Sequence, residues 1–423
     1  MSHVCPRCFE SSIMQLRVTE LRRNKPYPHC TYHPTLKGVP AEEVANLLDT
    51  ALRANYAISS SPLEFSEARS FHDVVRDVTG ADDDLVVQDL VSALMDADYY
   101  DQRDGDFPFY GEDQNYELIK PEGWLQSALW NEFRSAITHD RRFFNEDAKS
   151  LLAEIFDKVH LQSDSDGKSA LYALDSSARI FRARKVRTVV EAEAVKADPR
   201  KALGPPPENL RQAGRMNAAG IGAFYGGLNA NTCIAELRPP VGSLVCLGAF
   251  RPRRPIYVLD FTRFERPGRQ IHILSKNYFS RTTQWAFLQS FEVEISKPVL
   301  PDDEHLEYVP AQAVAEYLTS VPITLRKKPL RIQGLVFRSA QHAGGKNVVL
   351  FGDAALVANG DVPNAPMRAP TQMFDDDIPS LPARAERIPA LEFIDGSFAL
   401  QSVMSATYDV EEEHLSPEGE ADF

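Results

Sequence analysis

The chain has 423 residues, of which 43% are hydrophobic and 25% charged, and this balance predicts two or three globular domains with ample core. Its net charge of −14 argues against a broad surface for nucleic acid or anionic lipid. No apolar run has the length of a membrane span, and the N-terminus has no hydrophobic signal core. We therefore expect a cytoplasmic protein without a membrane partner.

Residues 1–38 are polar and cysteine-bearing. Four of them form two close pairs with the spacing C-x2-C-x21-C-x2-H: Cys5, Cys8, Cys30 and His33. Such pairs suit a tetrahedral zinc site, and zinc would stabilise a segment too small to have its own core. His3 and His29 are competing ligands, and four unrelated residues are the plainer alternative. Because four protein ligands would close the coordination sphere, the predicted zinc is structural.

Residues 41–162 carry the pattern of amphipathic helices, with apolar residues three or four positions apart. Helices are predicted from Ala41, over 83–96, from Pro121 and over 145–159. We expect an all-α helical domain here. The polar segment 163–168, SDSDGK, is predicted to be a linker that ends this domain.

Beyond the linker the pattern changes to short β-like runs, which predicts a mixed α/β or α+β domain over 169–355. The runs are ARIFRARKV, SLVCLGAF, PIYVLDF, GLVFRS and NVVLF, and helices interrupt them near 275–291 and 310–318. Proline and aspartate become frequent from residue 359. Residues 356–411 are therefore predicted to be an extended crossing followed by a pair of strands, and 412–423 a disordered acidic tail.

The predicted mixed domain contains an ordered series of residues that suits the cleavage of a dinucleotide: Arg182, Arg184, Arg215, Tyr225, Glu236 and Ser339. Guanidinium groups bind diphosphate bidentately, and an aromatic ring stacks on a flat base. A carboxylate stabilises the sugar cation that forms when a glycosidic bond breaks. Arg182 and Arg184 lie two positions apart, so they share one face of a strand.

Each of these residues also has a purely structural alternative. Arg182 could face solvent on an edge strand, and Arg215 could belong to an ordinary loop. Tyr225 could be a core residue at a strand end, and Ser339 could be a turn residue. Glu236 lies among apolar neighbours in TCIAELRP, so part of its segment is expected to be buried. A carboxylate there needs a partner, which a salt bridge to a nearby arginine would supply.

The order of the motifs FRAR, AGRMN, FYGG, TCIAELRP, VLDFT, YVPAQAVAEYL and GLVFRSAQHAGGKNVVLF resembles that of RES-domain toxins over roughly residues 170–351. This resemblance implies an ADP-ribosyltransferase-like fold and an activity that consumes NAD. It implies Glu236 as the principal acid–base residue. On this basis the catalytic residues are Glu236, Tyr225, Arg215 and Ser339, and the residues that bind NAD are Arg182, Arg184, Arg215 and Tyr225.

Arg134 and His139, in FRSAITHDRRFF, match the R-x4-H pattern of HEPN ribonucleases. Helical domains resembling HEPN also occur fused to RES domains. The favoured alternative is structural, with His139 capping a helix end and Arg134 in a surface ion pair. The acidic run over 82–113 makes a poor RNA surface, so nucleic acid is not an expected partner. We expect the HEPN-like domain to regulate, dimerise or sense.

Together these features predict a RES-type toxin that cleaves the nicotinamide–ribose bond of NAD, by hydrolysis or phosphorolysis, in a toxin–antitoxin system or in antiphage defence. The alternatives are an ADP-ribosyltransferase that modifies a macromolecule, a HEPN-type ribonuclease, and a zinc-stabilised interaction protein without catalysis. NAD is the expected substrate. An antitoxin or another regulatory protein is an expected partner, and we expect a homo-oligomer.

Overall fold

The computed structural model describes residues 1–23, 25–59, 68–98, 107–300, 302–358 and 387–407. The chain divides into two compact units, the first made of Met1–Ser127 with Gly268–Phe287 and the second of Ala128–Pro267 with Leu288–Phe423. This division does not coincide with the linker that the sequence predicts at 163–168. None of the described helices is both long and apolar enough to cross a bilayer.

The first unit combines helices with short strands. Its elements are β1 (His3–Val4), α1 (Ser12–Arg22), β2 (Val39–Pro40), α2 (Ala41–Asn55), β3 (Tyr56–Ile58), β4 (Arg69–Ser70), α3 (Phe71–Thr79), α4 (Asp84–Ala97) and β5 (Asn115–Leu118). Strands β3, β5 and β4 pair in that order into an antiparallel sheet. The prediction of an all-α domain over 41–162 is therefore wrong. Strands of two to four residues are too short to show the alternation that identifies a strand.

The helices of this unit follow the spacing of their apolar residues. In α2, Val44, Leu48 and Leu52 are buried at intervals of four, which places them on one face of the helix. Helix α4 begins where the side chain of Asp83 accepts a hydrogen bond from the amide of Leu85 (3.0 Å). A carboxylate at this position satisfies a free amide and interacts favourably with the helix dipole.

The N-terminal segment shares its core with these helices. Val4 and Met14 belong to the same buried apolar cluster as Leu48, Phe71 and Leu90. From the length of the segment we expected a metal to replace a core. The structure instead places the segment in a core that it shares with the helices. A metal there would add to a packed core.

Most of the remaining elements lie in the second unit. They are α5 (Trp124–Ser135), α6 (Glu146–Ile155), β6 (Leu171–Leu174), β7 (Ile180–Val186), α7 (Val189–Ala197), α8 (Pro199–Ala202), β8 (Ala223–Gly227), α9 (Ala230–Ala235), β9 (Leu244–Pro252), β10 (Ile256–Asp260), α10 (Tyr278–Ser296), α11 (Glu304–Ser320), β11 (Ile323–Leu325), β12 (Lys328–Leu330), β13 (Gly334–Arg338), β14 (Lys346–Phe351), β15 (Leu391–Phe393) and β16 (Ala399–Ser402). Of these elements, α5 and α10 each have part of their length in the first unit. The predicted strands and helices of the mixed domain are present, with shifted ends.

A mixed sheet organises this unit. Among the described residues it has nine strands in the order β15-β9-β7-β8-β14-β13-β10-β6, and β16 also pairs with β9. Neighbouring strands are antiparallel except β10 and β13. Phe224, Phe250 and Val258 lie in its buried core. Strands β7, β8, β14 and β13 are consecutive neighbours, so residues far apart in the sequence meet at the centre of the sheet.

The segment 163–168 is an ordered turn, which corrects the predicted linker. Ser163 forms a bridge with Ser169, and the amide of Ser165 donates to the carbonyl of Pro267 (2.9 Å). The side chain of Asp164 is fully buried and lies 3.7 Å from the guanidinium of Arg263. Serine, aspartate and glycine favour tight turns as well as linkers, so composition alone did not distinguish the two.

The two predicted C-terminal strands are present, and they do not pair with each other. Both pair with β9, in registers that place Phe393 opposite Phe250 and Ala399 opposite Leu247. They act as two halves of one interrupted strand. Much of the predicted crossing over 356–411, and the predicted tail over 412–423, lie outside the described residues.

Candidate active site

A cavity of about 490 Å³ lies in the second unit where the central strands meet. Four of the predicted site residues line it: Arg182, Arg215, Tyr225 and Glu236. Ser339 lies next to the cavity and contacts Glu236. The residues come from β7, the loop before β8, β8 itself, the end of α9 and the end of β13. The sheet therefore brings together most of the predicted set.

Glu236 is held by one of its two carboxylate oxygens. The hydroxyl of Ser339 donates to Oε1 (2.6 Å), and the side-chain amide of Asn347 donates to the same atom (2.7 Å). Among the described residues, none hydrogen-bonds to Oε2. Glu236 is exposed, whereas its apolar neighbours led us to expect burial. The carboxylate is thus oriented by two donors while its second oxygen remains available to a ligand.

Asn347 was not identified from the sequence. It is 7% exposed, and Ser339 is 5% exposed, so both donors are shielded from water. Asn347 lies opposite Phe337 in the register of β13 and β14. A polar residue near the start of the apolar run NVVLF was the available signal. Because Glu236 follows the C-terminal end of α9, where the helix dipole disfavours an anion, these donors stabilise its charge.

Arg182 is a partly buried cation that forms no ion pair with a carboxylate among the described residues. Its Nη1 donates to the carbonyl of Tyr225 (3.2 Å), and its guanidinium lies over the ring of Phe224 at 5.0 Å. Burial lowers the pKa of Arg182 to about 10, which leaves it protonated near neutral pH. A cation withdrawn from water without a counter-ion favours the binding of an anion.

Arg215 lines the cavity but is already engaged. Its Nη1 and Nη2 donate to the carbonyls of Ile295 and Lys297, each at 2.6 Å. The guanidinium also lies over the ring of Tyr308 at 5.1 Å. These bonds satisfy carbonyls at the C-terminal end of α10. The role of Arg215 as a diphosphate ligand remains a prediction. In that role Arg215 would bind the diphosphate through the guanidinium N–H groups that do not donate to these two carbonyls.

Arg184 does not line the cavity, although it has the same parity as Arg182. It is exposed, and its Nη1 donates to the carbonyl of Ala202 (3.4 Å). Two residues along a strand correspond to roughly 6.6 Å. The cavity contacts β7 only around Arg182 and Ala183, so the shared face did not bring Arg184 to the site.

Tyr225 is fixed through its hydroxyl, which donates to Oδ1 of Asn217 (2.7 Å) and accepts from the amide of Met216 (3.0 Å). Burial raises the pKa of Tyr225. The adjacent Gly226 has a packing role, because a Cβ there would lie 2.5 Å from Ile180. That glycine lets β8 approach β7 closely.

The sequence analysis also missed part of the cavity wall on α11 and β13. Tyr308 donates to Glu304 (3.0 Å), and both residues line the cavity. Their spacing of four positions on a helix was the available signal. Arg338 lines the cavity as well, and its Nη2 lies 3.4 Å from the buried carboxylate of Glu292. Burial raises the pKa of Glu292, and the charge of Arg338 opposes this effect.

The first unit contains the predicted ligand cluster. The ligand atoms of Cys5, Cys8, Cys30 and His33 all lie within 4.8 Å of one another, and the described residues place neither His3 nor His29 among them. The sulfur atoms of Cys8 and Cys30 are 3.6 Å apart, and Nδ1 of His33 is 3.4 Å from Cys8 Sγ. A zinc–sulfur bond of about 2.3 Å gives tetrahedral edges of about 3.8 Å. The cluster could therefore hold a metal ion of this kind.

Arg134 and His139 belong to the second unit and line a separate cavity of about 340 Å³. Nη1 of Arg134 lies 3.1 Å from a carboxylate oxygen of Glu294. His139 lies in a π-helical turn, Ala136–Asp140, that follows α5. The ion pair is the one that the structural alternative predicts for Arg134.

A family model for the RES domain matches residues 180–374, which is somewhat less than half of the chain. No curated protein and no solved structure shows a significant match. The matched span includes every residue that lines the 490 Å³ cavity. The RES resemblance read from the sequence motifs is therefore confirmed for this part of the chain.

Proposed function

We propose that the protein cleaves the nicotinamide–ribose bond of NAD and depletes cellular NAD as a RES-type toxin. The observation that carries this proposal is the pairing of an oriented carboxylate with an uncompensated cation at one cavity. Glu236 is held through Oε1 by Ser339 and Asn347, while Arg182 has no carboxylate partner among the described residues. The match to the RES family supports the same assignment.

In this proposal Arg182 binds the diphosphate, and Tyr225 presents its ring to a base. Nicotinamide leaves as a neutral molecule with both electrons of the bond to the ribose carbon. The ribose then carries a developing positive charge, which the carboxylate of Glu236 stabilises. Water, phosphate or a macromolecular group adds to the ribose carbon, and Glu236 can accept the proton that the acceptor loses.

The test is the release of nicotinamide from NAD by the purified protein. Glu236→Gln keeps the shape of the side chain and removes its charge, so turnover should fall by at least ~10²-fold. Glu193→Gln is a matched control, because Glu193 is an exposed residue of α7 that does not line the cavity. Equal rates for wild type and Glu236→Gln would remove this carboxylate from the mechanism, and a wild type that releases no nicotinamide would refute the proposal.

The proposal extends to the rest of the protein. An ADP-ribosyltransferase-like fold fits the mixed sheet that presents the cavity. The cysteine and histidine cluster would hold a structural zinc, since its four donors would fill a tetrahedral ion. A cytoplasmic toxin of this kind needs restraint, which an antitoxin or another regulatory protein would provide, and antiphage defence is one setting for it. A homo-oligomer remains our expectation.

A further inference from the structure

The hydroxyl of Tyr225 commits its single proton to a hydrogen bond with Asn217. We infer that Tyr225 acts on the substrate through its ring alone, and that Asn217 is the positioning residue that locks this ring in place. The inference rests on the proposed function, because it assigns the way in which one residue of that site works.

Asn217 connects Tyr225 to the loop that carries Arg215. It is 6% exposed, and its Oδ1 accepts the hydrogen bond from the hydroxyl of Tyr225 (2.7 Å). The two protons of its side-chain amide are shared among three backbone carbonyls, those of Gln212 (3.1 Å), Ala218 (3.1 Å) and Ile221 (3.0 Å). One side chain thus fixes both the fold of the loop and the position of the ring.

The hydrogen bond of the Tyr225 hydroxyl lies close against the backbone of the loop. The hydroxyl donates its proton to Asn217 and accepts from the amide of Met216. A Cβ on Gly214 would lie 2.8 Å from this oxygen and 2.8 Å from Oδ1 of Asn217. On this side the backbone leaves no space for a substrate atom to replace Asn217 as the proton acceptor.

The charges around the ring agree with a hydroxyl that stays protonated. The titratable and charged groups that face it are Tyr308 on α11, Arg215 on the loop and Arg182 on β7. Burial outweighs the two arginines and raises the pKa of Tyr225. A general acid would instead need a pKa near the working pH and a free path to the reacting group. Tyr225 lines the cavity, and with its hydroxyl bonded to Asn217 we assign its ring to the ligand.

The experiment compares Tyr225→Phe, Tyr225→Leu, Asn217→Ala and the double variant Asn217→Ala/Tyr225→Phe. Nicotinamide release from NAD is measured from pH 6 to pH 10, with kcat and KM determined separately. Tyr225→Phe keeps the ring but loses the hydrogen bond to Asn217, so KM should rise about tenfold, as in Asn217→Ala. Its kcat should fall much less than that of Tyr225→Leu, and the alkaline side of the pH profile should not change. Tyr225→Leu should lose about 10²-fold in kcat/KM. Asn217→Ala should raise KM about tenfold, with a smaller effect on kcat.

The double variant shows whether Asn217 acts through Tyr225. Asn217→Ala should have a smaller effect in the Tyr225→Phe background than in wild type. Asn145→Ala is a matched control, because Asn145 caps α6 (2.9 Å to the amide of Ala148) and should affect stability without changing KM. A Tyr225→Phe variant as inactive as Tyr225→Leu, or one that loses the alkaline side of the profile, would overturn the inference. Equal effects of Asn217→Ala in both backgrounds would do so as well.

A second measurement separates this inference from the proposed function. Urea unfolding midpoints of wild type, Tyr225→Phe, Asn217→Ala and the double variant form a double-mutant cycle that needs no NAD turnover. Non-additive midpoints support the lock between Asn217 and Tyr225, and additive midpoints refute it. If the wild type does not cleave NAD, the proposed function and the role of the ring are refuted. Non-additive midpoints would still establish that Asn217 holds Tyr225 in place.

Discussion

The ligand cluster of the first unit and the cavity of the second unit use their polar groups in opposite ways. In the cluster, four donors from two short segments converge on one point and would be saturated by a single ion. In the cavity, Glu236 and Arg182 each retain groups that the described residues do not use. A closed set of donors stabilises a fold, whereas an open set can bind and transform a ligand.

The first prediction concerns the cluster and has the largest expected effect. The purified protein should contain about one zinc per chain, and Cys5→Ser/Cys8→Ser should lose all of it. Because binding free energy of a structural zinc contributes to folding, the thermal midpoint of the first unit should fall by more than about 10 °C. Elemental analysis and thermal unfolding measure the two effects.

The matched control for the cluster is a pair of histidine variants. His33→Gln removes a ligand and should release zinc, whereas His29→Gln should retain it, because His29 is not part of the cluster. Nicotinamide release should continue in zinc-free protein whose second unit remains folded. If nicotinamide release stops in zinc-free protein with a folded second unit, the metal takes part in the chemistry. The cluster would then not be a purely structural site.

The second prediction tests the uncompensated cation. Arg182→Ala should raise KM for NAD by about 10- to 100-fold, since hydrogen bonds to charged groups contribute about 1.5–3 kcal/mol. Arg184→Ala is the matched control from the same strand, and it should leave KM unchanged because Arg184 lies outside the cavity. Similar increases in KM for both arginine variants would show that NAD binding extends along β7 beyond the cavity.

The third prediction tests the donors that orient Glu236. Asn347→Ala should lower kcat for nicotinamide release about tenfold, because it removes one hydrogen bond that holds the carboxylate. Asn347→Asp is the sharper comparison, since it puts a second carboxylate beside Glu236 and should be the more damaging change. If Asn347→Ala has wild-type kcat, Ser339 alone is sufficient to orient Glu236.

The sequence predicted the two sites to different extents because their residues are spaced differently. Cys5, Cys8, Cys30 and His33 form pairs three residues apart, so local spacing alone was sufficient to identify them. In the cavity, Asn347 contacts a residue 111 positions away. That contact depends on the order of strands in the sheet, and no local pattern encodes this order.

The parts of the fold that were missed have a similar physical reason. The predicted helices in the first unit have an apolar face of several turns, which Val44, Leu48 and Leu52 illustrate. The sheet beside them is made of strands of two to four residues, whose pattern is too short to recognise. Arg182 and Arg184 both belong to β7, but of the two only Arg182 lines the cavity.

The smallest effect is expected at Arg134 and His139, whose motif resembles that of a ribonuclease. The double variant Arg134→Ala/His139→Ala should keep nicotinamide release within about twofold of wild type, since surface substitutions typically shift free energies by no more than about 0.5 kcal/mol. Arg134 is paired with Glu294, and both variant positions lie outside the 490 Å³ cavity. Arg182→Ala, measured in parallel, shows that the assay detects a damaged site. A loss of more than tenfold in the double variant would mean that the cavity lined by Arg134 and His139 acts together with the 490 Å³ cavity, and the open site would then be larger than the RES motifs indicate.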